Sequence, residues 1–195
     1  METIDITLAG VGGQGIILAA DLLADAAARA GLDVKKSEIH GMAQRGGSVV
    51  SQVRIGDKVA SPIVQHGKTG ILVCFDKLEA VRMSQTLKPG GVAIVNNMYL
   101  TPVTVSSGQQ SDVEDLDGRV RAIPGVKLVD APALAARAGG ARAMNMVLAG
   151  ALSAFCPVPE EYWREAAEAL FAGPKAKFLE MNMKAFALGR ESVAG

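Results

Sequence analysis

Two glycine-bracketed segments carry most of the chemical content of this chain. In the first, GVGGQG, Gly10, Gly12 and Gly15 hold a GxGxxG spacing. Between a strand and a helix, such glycines allow a tight turn, and the unpaired N–H groups at the helix start attract an anion. Glu38 follows about where the ribose-binding carboxylate of a dinucleotide fold is expected. A second reading needs no ligand: the glycines serve only a sharp turn and close helix–sheet packing. Gly13 and the amide of Gln14 depart from the dinucleotide fingerprint, and suggest a loop packed against, or presented to, another surface.

The second segment is HGMAQRGG, in which His40, Gln44 and Arg45 are bracketed by Gly41, Gly46 and Gly47. A guanidinium offers a two-pronged fork to a carboxylate or phosphate, and glycines let backbone come close to a ligand. The residues leave equally open an Arg45 that pairs with an acidic side chain of the fold itself. His66, in VQHGKTG, reads as a loop residue. Cys74 and Cys156 sit in the apolar contexts ILVCFD and LSAFCPV and read as buried thiols. Two Cys and two His on separate segments fall short of the roughly four ligands of an iron-sulfur centre or a structural zinc, so any redox metal belongs to a partner. Ser48 and Ser51 have no base near in sequence beyond His40, so no nucleophile constellation is visible. Asn96-Asn97 matches the end of a thiamine diphosphate motif, but the one upstream Gly-Asp, Gly56-Asp57, is followed by Lys58, and thiamine binding in this chain is rejected. The aromatic residues are too scattered for a stacking platform.

The elements that would position these groups follow from periodicity. Thr3 to Ala9 reads as a strand, and apolar Ile16, Ala19, Ala20, Leu23 and Ala27 mark one face of a helix closing at Gly31. Asp33 to Glu38 predicts a second strand. Gly56-Asp57, between two short β-like runs, predicts a hairpin. Ile71 to Phe75 predicts a buried strand, with Asp76 capping a helix to about Leu87 that stops at Lys88-Pro89-Gly90-Gly91. Further strands are expected at Val92 to Val95, Thr101 to Val105 and Val126 to Val129. Helices follow at Pro132 to Ala138, Ala141 to Phe155, Pro159 to Phe171 and Pro174 to Leu188, the last with Gly189 as C-cap. The order predicts one α/β layered domain over residues 1–195, with a mixed, Rossmann-like sheet, a β-hairpin and a helical C-terminal part.

Composition narrows the classes. The chain has 195 residues, 49% hydrophobic and 21% charged, with 20 basic against 20 acidic side chains. That excludes global disorder, and a neutral chain is a poor binder of nucleic acid by counterion release. Near-zero net charge also leaves nothing to repel a neighbouring protein. METIDITLAG has no basic leader, and no window reaches about 18 uninterrupted apolar residues, so the expected location is the cytoplasm, with no membrane contact.

Taken together, GVGGQGI, SEIHGMAQRGGSVVSQVRIG, Ser61-Pro62, Asn145 and NMKAFALG at Asn182 to Gly189 resemble the gamma-type domain of 2-oxoacid:ferredoxin oxidoreductases. EIHGMAQRGGSV is most similar to the beta subunits of the indolepyruvate branch. The resemblance runs nearly end to end, with Ser106 to Gly118 unaligned. It implies one subunit of a two-subunit enzyme that oxidatively decarboxylates arylpyruvates such as indole-3-pyruvate to the acyl-CoA, passing electrons to ferredoxin. It also implies that an alpha subunit holds the thiamine diphosphate and iron-sulfur clusters, and that this chain is inactive alone. Gly10, Gly12, Gly13, Gln14, Gly15, His40, Gln44, Arg45, Gly46 and Gly47 would then help shape the coenzyme A and oxoacid site, or touch the alpha subunit. The rival readings are a free-standing NAD(P)- or flavin-dependent oxidoreductase and a non-catalytic assembly subunit.

Overall fold

The alternation of Ile4 to Val11 places Ile6 and Leu8 on one face and Thr7 and Ala9 on the other, so both faces of this strand are buried. In the computed structural model, which describes residues 1–40 and 47–194, it is β1 (Ile4–Val11), near the middle of a six-stranded sheet. The glycine turn leads to α1 (Ile16–Arg29). The chain then forms β2 (Asp33–His40) and β3 (Ser48–Gly56), which pair antiparallel without interruption from Asp33↔Gly56 to His40↔Val49. β4 (Thr69–Cys74), α2 (Lys77–Met83), β5 (Leu87–Asn96), α3 (Val103–Ser106), α4 (Leu116–Arg121) and β6 (Val126–Val129) follow. Last come α5 (Ala131–Ala138), α6 (Met144–Ser153), α7 (Glu160–Leu170) and α8 (Leu179–Glu191). The strand order is β2-β3-β1-β4-β5-β6, with β1, β4, β5 and β6 parallel and β3 antiparallel to both of its neighbours.

One face of the sheet is covered by α1 and α5 to α8, which enclose the larger core with Ile6, Leu8, Val73 and Ile94. The opposite face carries a smaller core in which Ala80 of α2 and Val120 of α4 meet Ala9, Leu72 and Val95. Trp163 is fully buried on the helical side, stacked obliquely on Phe186 at 5.6 Å, and its indole N–H donates to Val158 O. α6 and α8 approach so closely that a Cβ on Gly150 would sit 1.9 Å from Phe186 O, and one on Gly189 would sit 1.9 Å from Val147 O.

Four sequence expectations are corrected. The hairpin closes between β2 and β3, not at Gly56-Asp57. β3 already has β1 and β2 on its two sides, and the chain after it satisfies donors through side chains, Val59 N to Asp33 and Val64 N to Gln52. The strand expected at Thr101 to Val105 is the single helical turn α3, because Pro102 O accepts from both Val105 N and Ser106 N and the segment meets no sheet edge. The last helix begins at Leu179, after a 3₁₀ turn over Gly173–Phe178. Gly189 lies inside α8, where the carbonyl of Val147 leaves no space for a side chain.

Candidate functional site

β1 runs into α1 on one face of the sheet and its parallel neighbour β4 runs into α2 on the other. Their C-terminal ends therefore diverge, and that is where open α/β sheets form ligand crevices. The glycine turn sits at this point. A Cβ on Gly10 would come within 2.7 Å of both Gln14 Oε1 and Phe75 Cβ, so only glycine permits the close approach of β1, the turn and β4. Gly15 is the N-cap of α1 with φ 84°, and a Cβ there would also press on the amide of Asn145.

Gln14 turns inward. Its Oε1 accepts from Val11 N at 2.7 Å and its Nε2 donates to Phe75 O at 3.2 Å. Asn96 Nδ2 donates to that same carbonyl at 3.1 Å, and Asn96 Oδ1 accepts from Ala131 N. These two amides stitch together the ends of β1, β4 and β5 and the start of α5. Because Gln14 is used within the fold, what the turn offers outward is backbone: α1 has no side-chain cap on its first amides.

The second glycine segment is fastened to the first. Gly12 N donates to Gly47 O at 2.9 Å. Next to it, Ser48 Oγ donates to Glu79 Oε2 at 2.6 Å, and Arg82 Nη1 donates to Glu79 Oε1 at 2.7 Å. Asp76 accepts from Leu78 N, Glu79 N and Leu100 N, so one carboxylate caps α2 and ties down the segment after β5. Burial raises the Asp76 carboxyl above the usual range, against those three N–H bonds. Gly12, Ser48, Asp76, Glu79 and Arg82 border a cavity of about 300 Å³ with Leu78 and Leu100 as apolar wall. On the other side of the turn, an open cleft of about 480 Å³ is bounded by Gly12, Gly13, Gly15 and the first turn of α1. A third cavity, about 270 Å³, joins Leu18 and Asn145 to Arg142, Lys175, Phe178 and Asn182.

The structure thus brings Gly10, Gly12, Gly13, Gln14, Gly15 and Gly47 together. His40 ends β2 opposite Val49; its side chain, and all of Gly41, Gln44, Arg45 and Gly46, lie outside the described residues. Glu38 lies on β2, two strands from β1, and pairs with Lys36 at 2.6 Å. The strand β3 inserted between them removes the neighbour relation that a dinucleotide fold uses to place its ribose carboxylate. Gly67 and Lys68 lie in the chain leading into β4, which begins at Thr69, so this Gly-Lys-Thr run precedes a strand rather than a helix and is not placed to cradle a phosphate. His66 is exposed in a turn. Sequence reasoning missed Glu79, Arg82 and Arg142; the Ser48–Glu79 pair spans 31 residues, and no local pattern signals it. Cys74 and Cys156 are both buried, and burial pushes the Cys156 thiol up to about 12. Among the described residues no group of three or more His, Cys, Asp or Glu could hold a metal ion, and no helix is long and apolar enough to cross a membrane.

Residues 5–192 match the family described as pyruvate ferredoxin/flavodoxin oxidoreductase. Indolepyruvate oxidoreductase subunit IorB of Pyrococcus horikoshii is 40% identical, covering 97% of this chain and 95% of that one. A keto/oxoacid ferredoxin oxidoreductase gamma subunit from Geobacter sulfurreducens superposes with a TM-score of 0.70 at 26% identity, over 97% of this chain and 98% of that one. The 2-oxoglutarate:ferredoxin oxidoreductase of Magnetococcus marinus, solved with 2-oxoglutarate, coenzyme A and succinyl-CoA bound, gives a TM-score of 0.76 at 25% identity. This chain is matched over 99% of its length there but spans only 31% of that longer chain. Fold, turn and relatives agree: the chain belongs to the pyruvate ferredoxin/flavodoxin oxidoreductase family, as a subunit of the 2-oxoacid:ferredoxin oxidoreductase type.

Proposed function

We infer that this chain is the small subunit of an arylpyruvate:ferredoxin oxidoreductase of the indolepyruvate type. It docks on a large alpha subunit that carries thiamine diphosphate and the iron-sulfur clusters. The complex converts an arylpyruvate and coenzyme A to the acyl-CoA and carbon dioxide, and two electrons leave to ferredoxin. In this reading the chain contributes no cofactor. Its Gly10–Gly15 turn and His40–Gly47 segment together shape the coenzyme A and oxoacid site, or the contact with the alpha subunit beside it. The observation that supports the reading is the Gly12 N to Gly47 O bond, which holds Gly47, the last residue of the second segment, against the glycine turn at the divergent ends of β1 and β4.

The test is reconstitution. The purified chain should be colourless and inactive with indolepyruvate, coenzyme A and ferredoxin, and should support turnover once the alpha subunit is added. Turnover by the chain alone would overturn the reading. Arg45→Lys keeps the charge but loses the fork. If Arg45 meets ligand, the variant complex should show a raised KM for coenzyme A or the arylpyruvate with assembly unchanged. If Arg45 serves only assembly, subunit affinity falls and the kinetics of the remaining complex are spared.

A further inference from the structure

The cavity between α1, α6 and α8 takes no part in the reading above. It holds about 270 Å³. A cavity of roughly 150 Å³ is enough for benzene, and sites for drug-sized ligands begin at about 300 Å³. The space therefore suits a molecule of one or two rings and is too small for a nucleotide-bearing coenzyme. Leu18, Phe171, Phe178 and Met181 give it apolar walls. Two of these walls are held in place. Met181 packs so closely on Gly140 that a Cβ there would sit 2.8 Å from its sulfur, and Lys177 lies over the Phe178 ring at 5.2 Å. Aromatic and thioether groups are good partners for the faces and edges of another ring.

The polar groups at this cavity are one-sided. Arg142 and Lys175 border it with no carboxylate among its described lining residues, and neither has an acidic partner among the described residues. Asn145 uses its Oδ1 to accept from Met146 N, while its Nδ2, packed on Gly15, has no acceptor among the described residues. Two cations and an amide N–H thus border one space without an anion. At the same cavity Asn182, only 5% exposed, donates Nδ2 to Phe178 O at 2.8 Å, which leaves its Oδ1 without a partner among the described residues.

We propose that this cavity binds a small aromatic carboxylate, with its ring between Phe171, Phe178 and Met181 and its carboxylate on Arg142, Lys175 and Asn145 Nδ2. Arg142 supplies the two-pronged contact. Asn182 Oδ1 accepts from a ring N–H or O–H, so an indole or phenol body is favoured over a plain hydrocarbon of the same size. The site needs neither the alpha subunit nor turnover, so it stands or falls separately from the function inferred above.

Indole-3-acetate is the probe, titrated into the full chain by calorimetry and followed by amide NMR. It should bind saturably, with Kd below about 1 mM. Indole-3-ethanol, its uncharged analogue, should bind about tenfold more weakly or worse, since it leaves both cations unpaired. Arg142→Ala and Lys175→Ala, both at exposed positions and so expected to keep the native Tm, should each weaken binding about fivefold or more. Resonances of Leu18, Phe178 and Asn182 should shift, and those of Gly12 and Gly13 should not. Absence of saturable binding up to about 5 mM overturns the proposal. So does equal affinity for indole-3-ethanol, or a set of shifts confined to the glycine turn. If Arg142→Ala leaves probe binding intact and weakens assembly with the alpha subunit instead, the face is a subunit contact and the proposal fails.

Discussion

The two faces of the sheet are built on different terms. On the helical face, α6 is buried along nearly its whole length and meets α8 through paired glycines, with backbone against backbone. On the other face, a small apolar core supports Asp76, Glu79 and Ser48, whose hydrogen bonds fix where β1, β4 and the β2–β3 hairpin end. The first face is held by volume, where mistakes cannot be relaxed. The second is held by a few directional contacts next to a cavity. Stability should therefore be most sensitive to substitutions on the helical face, and activity to those on the face that borders the candidate site.

The largest expected effect is on the helical face. Gly189→Ala puts a methyl group 1.9 Å from Val147 O, so α6 and α8 must move apart along their contact. Overpacking of this kind costs about 3 kcal/mol or more when backbone is the obstacle, and at roughly 2–4 °C per kcal/mol the Tm should fall by about 6–12 °C. A Tm within 2 °C of wild type would show that the helices have slack, and the contrast between the faces would fail.

Next is Asp76. Asp76→Ala removes the acceptor of three backbone N–H groups and should cost about 2 kcal/mol, more than an ordinary exposed cap. The pH dependence carries a definite sign. Burial raises the folded-state pKa above 3.8, so the native state binds the proton more readily than the unfolded one. Stability then falls as pH rises from about 4 through the folded value, and the penalty is constant above it. The urea-derived advantage of wild type over Asp76→Ala should therefore grow as pH is lowered from 7 toward 4. A constant difference would mean that the three N–H bonds fully offset the burial.

Much of this contrast can be read along the chain, because local rules carry it. β1, the glycine turn and α1 follow from periodicity and glycine spacing, and Asp76 reads as a cap from its place after an apolar strand. What escapes is decided by partners distant in sequence. Gly189 looks like a helix stop until Val147 is seen behind it. The sequence leaves Gln14 either packed or presented, and only the distant Phe75 O, with Val11 N, shows that both of its ends are claimed within the fold. Glu79 has no local signature at all, since its partner Ser48 arrives from another strand. Turn chemistry is local and points to Gly56-Asp57 for the hairpin, whereas the order of strands in the sheet, which puts it between β2 and β3, is not local.

Glu79 gives the sharpest separation of the two kinds of sensitivity. Glu79→Gln keeps the shape but replaces one of two accepting oxygens with an amide that cannot accept from Ser48 or Arg82. The loss is about 1–2 kcal/mol of stability, smaller than for Gly189→Ala. Since Ser48 directly follows Gly47, the same change loosens the hold on Gly47 and its bond to Gly12. In the reconstituted complex, KM for coenzyme A or the arylpyruvate should rise severalfold, while Gly189→Ala, assayed well below its Tm, should leave KM near the wild-type value. Equal effects of both variants on KM would erase the division between the faces.

The smallest effect tests whether the helical face is apolar throughout. Ser51 lies on β3 opposite Leu8, fully buried, and its hydroxyl has no hydrogen-bond partner among the described residues. A buried hydroxyl without a partner carries a desolvation penalty of about 1–3 kcal/mol, and removing one oxygen from a packed strand leaves a void smaller than a methyl group. Ser51→Ala should therefore stabilise the protein by about 1 kcal/mol, raising Tm by roughly 2–4 °C with unchanged kinetics. If instead Tm falls by a similar amount, the hydroxyl has a partner in solution, and the face held by volume contains a directional contact of its own. The sign of this one small shift therefore decides whether the two faces differ in kind or only in degree.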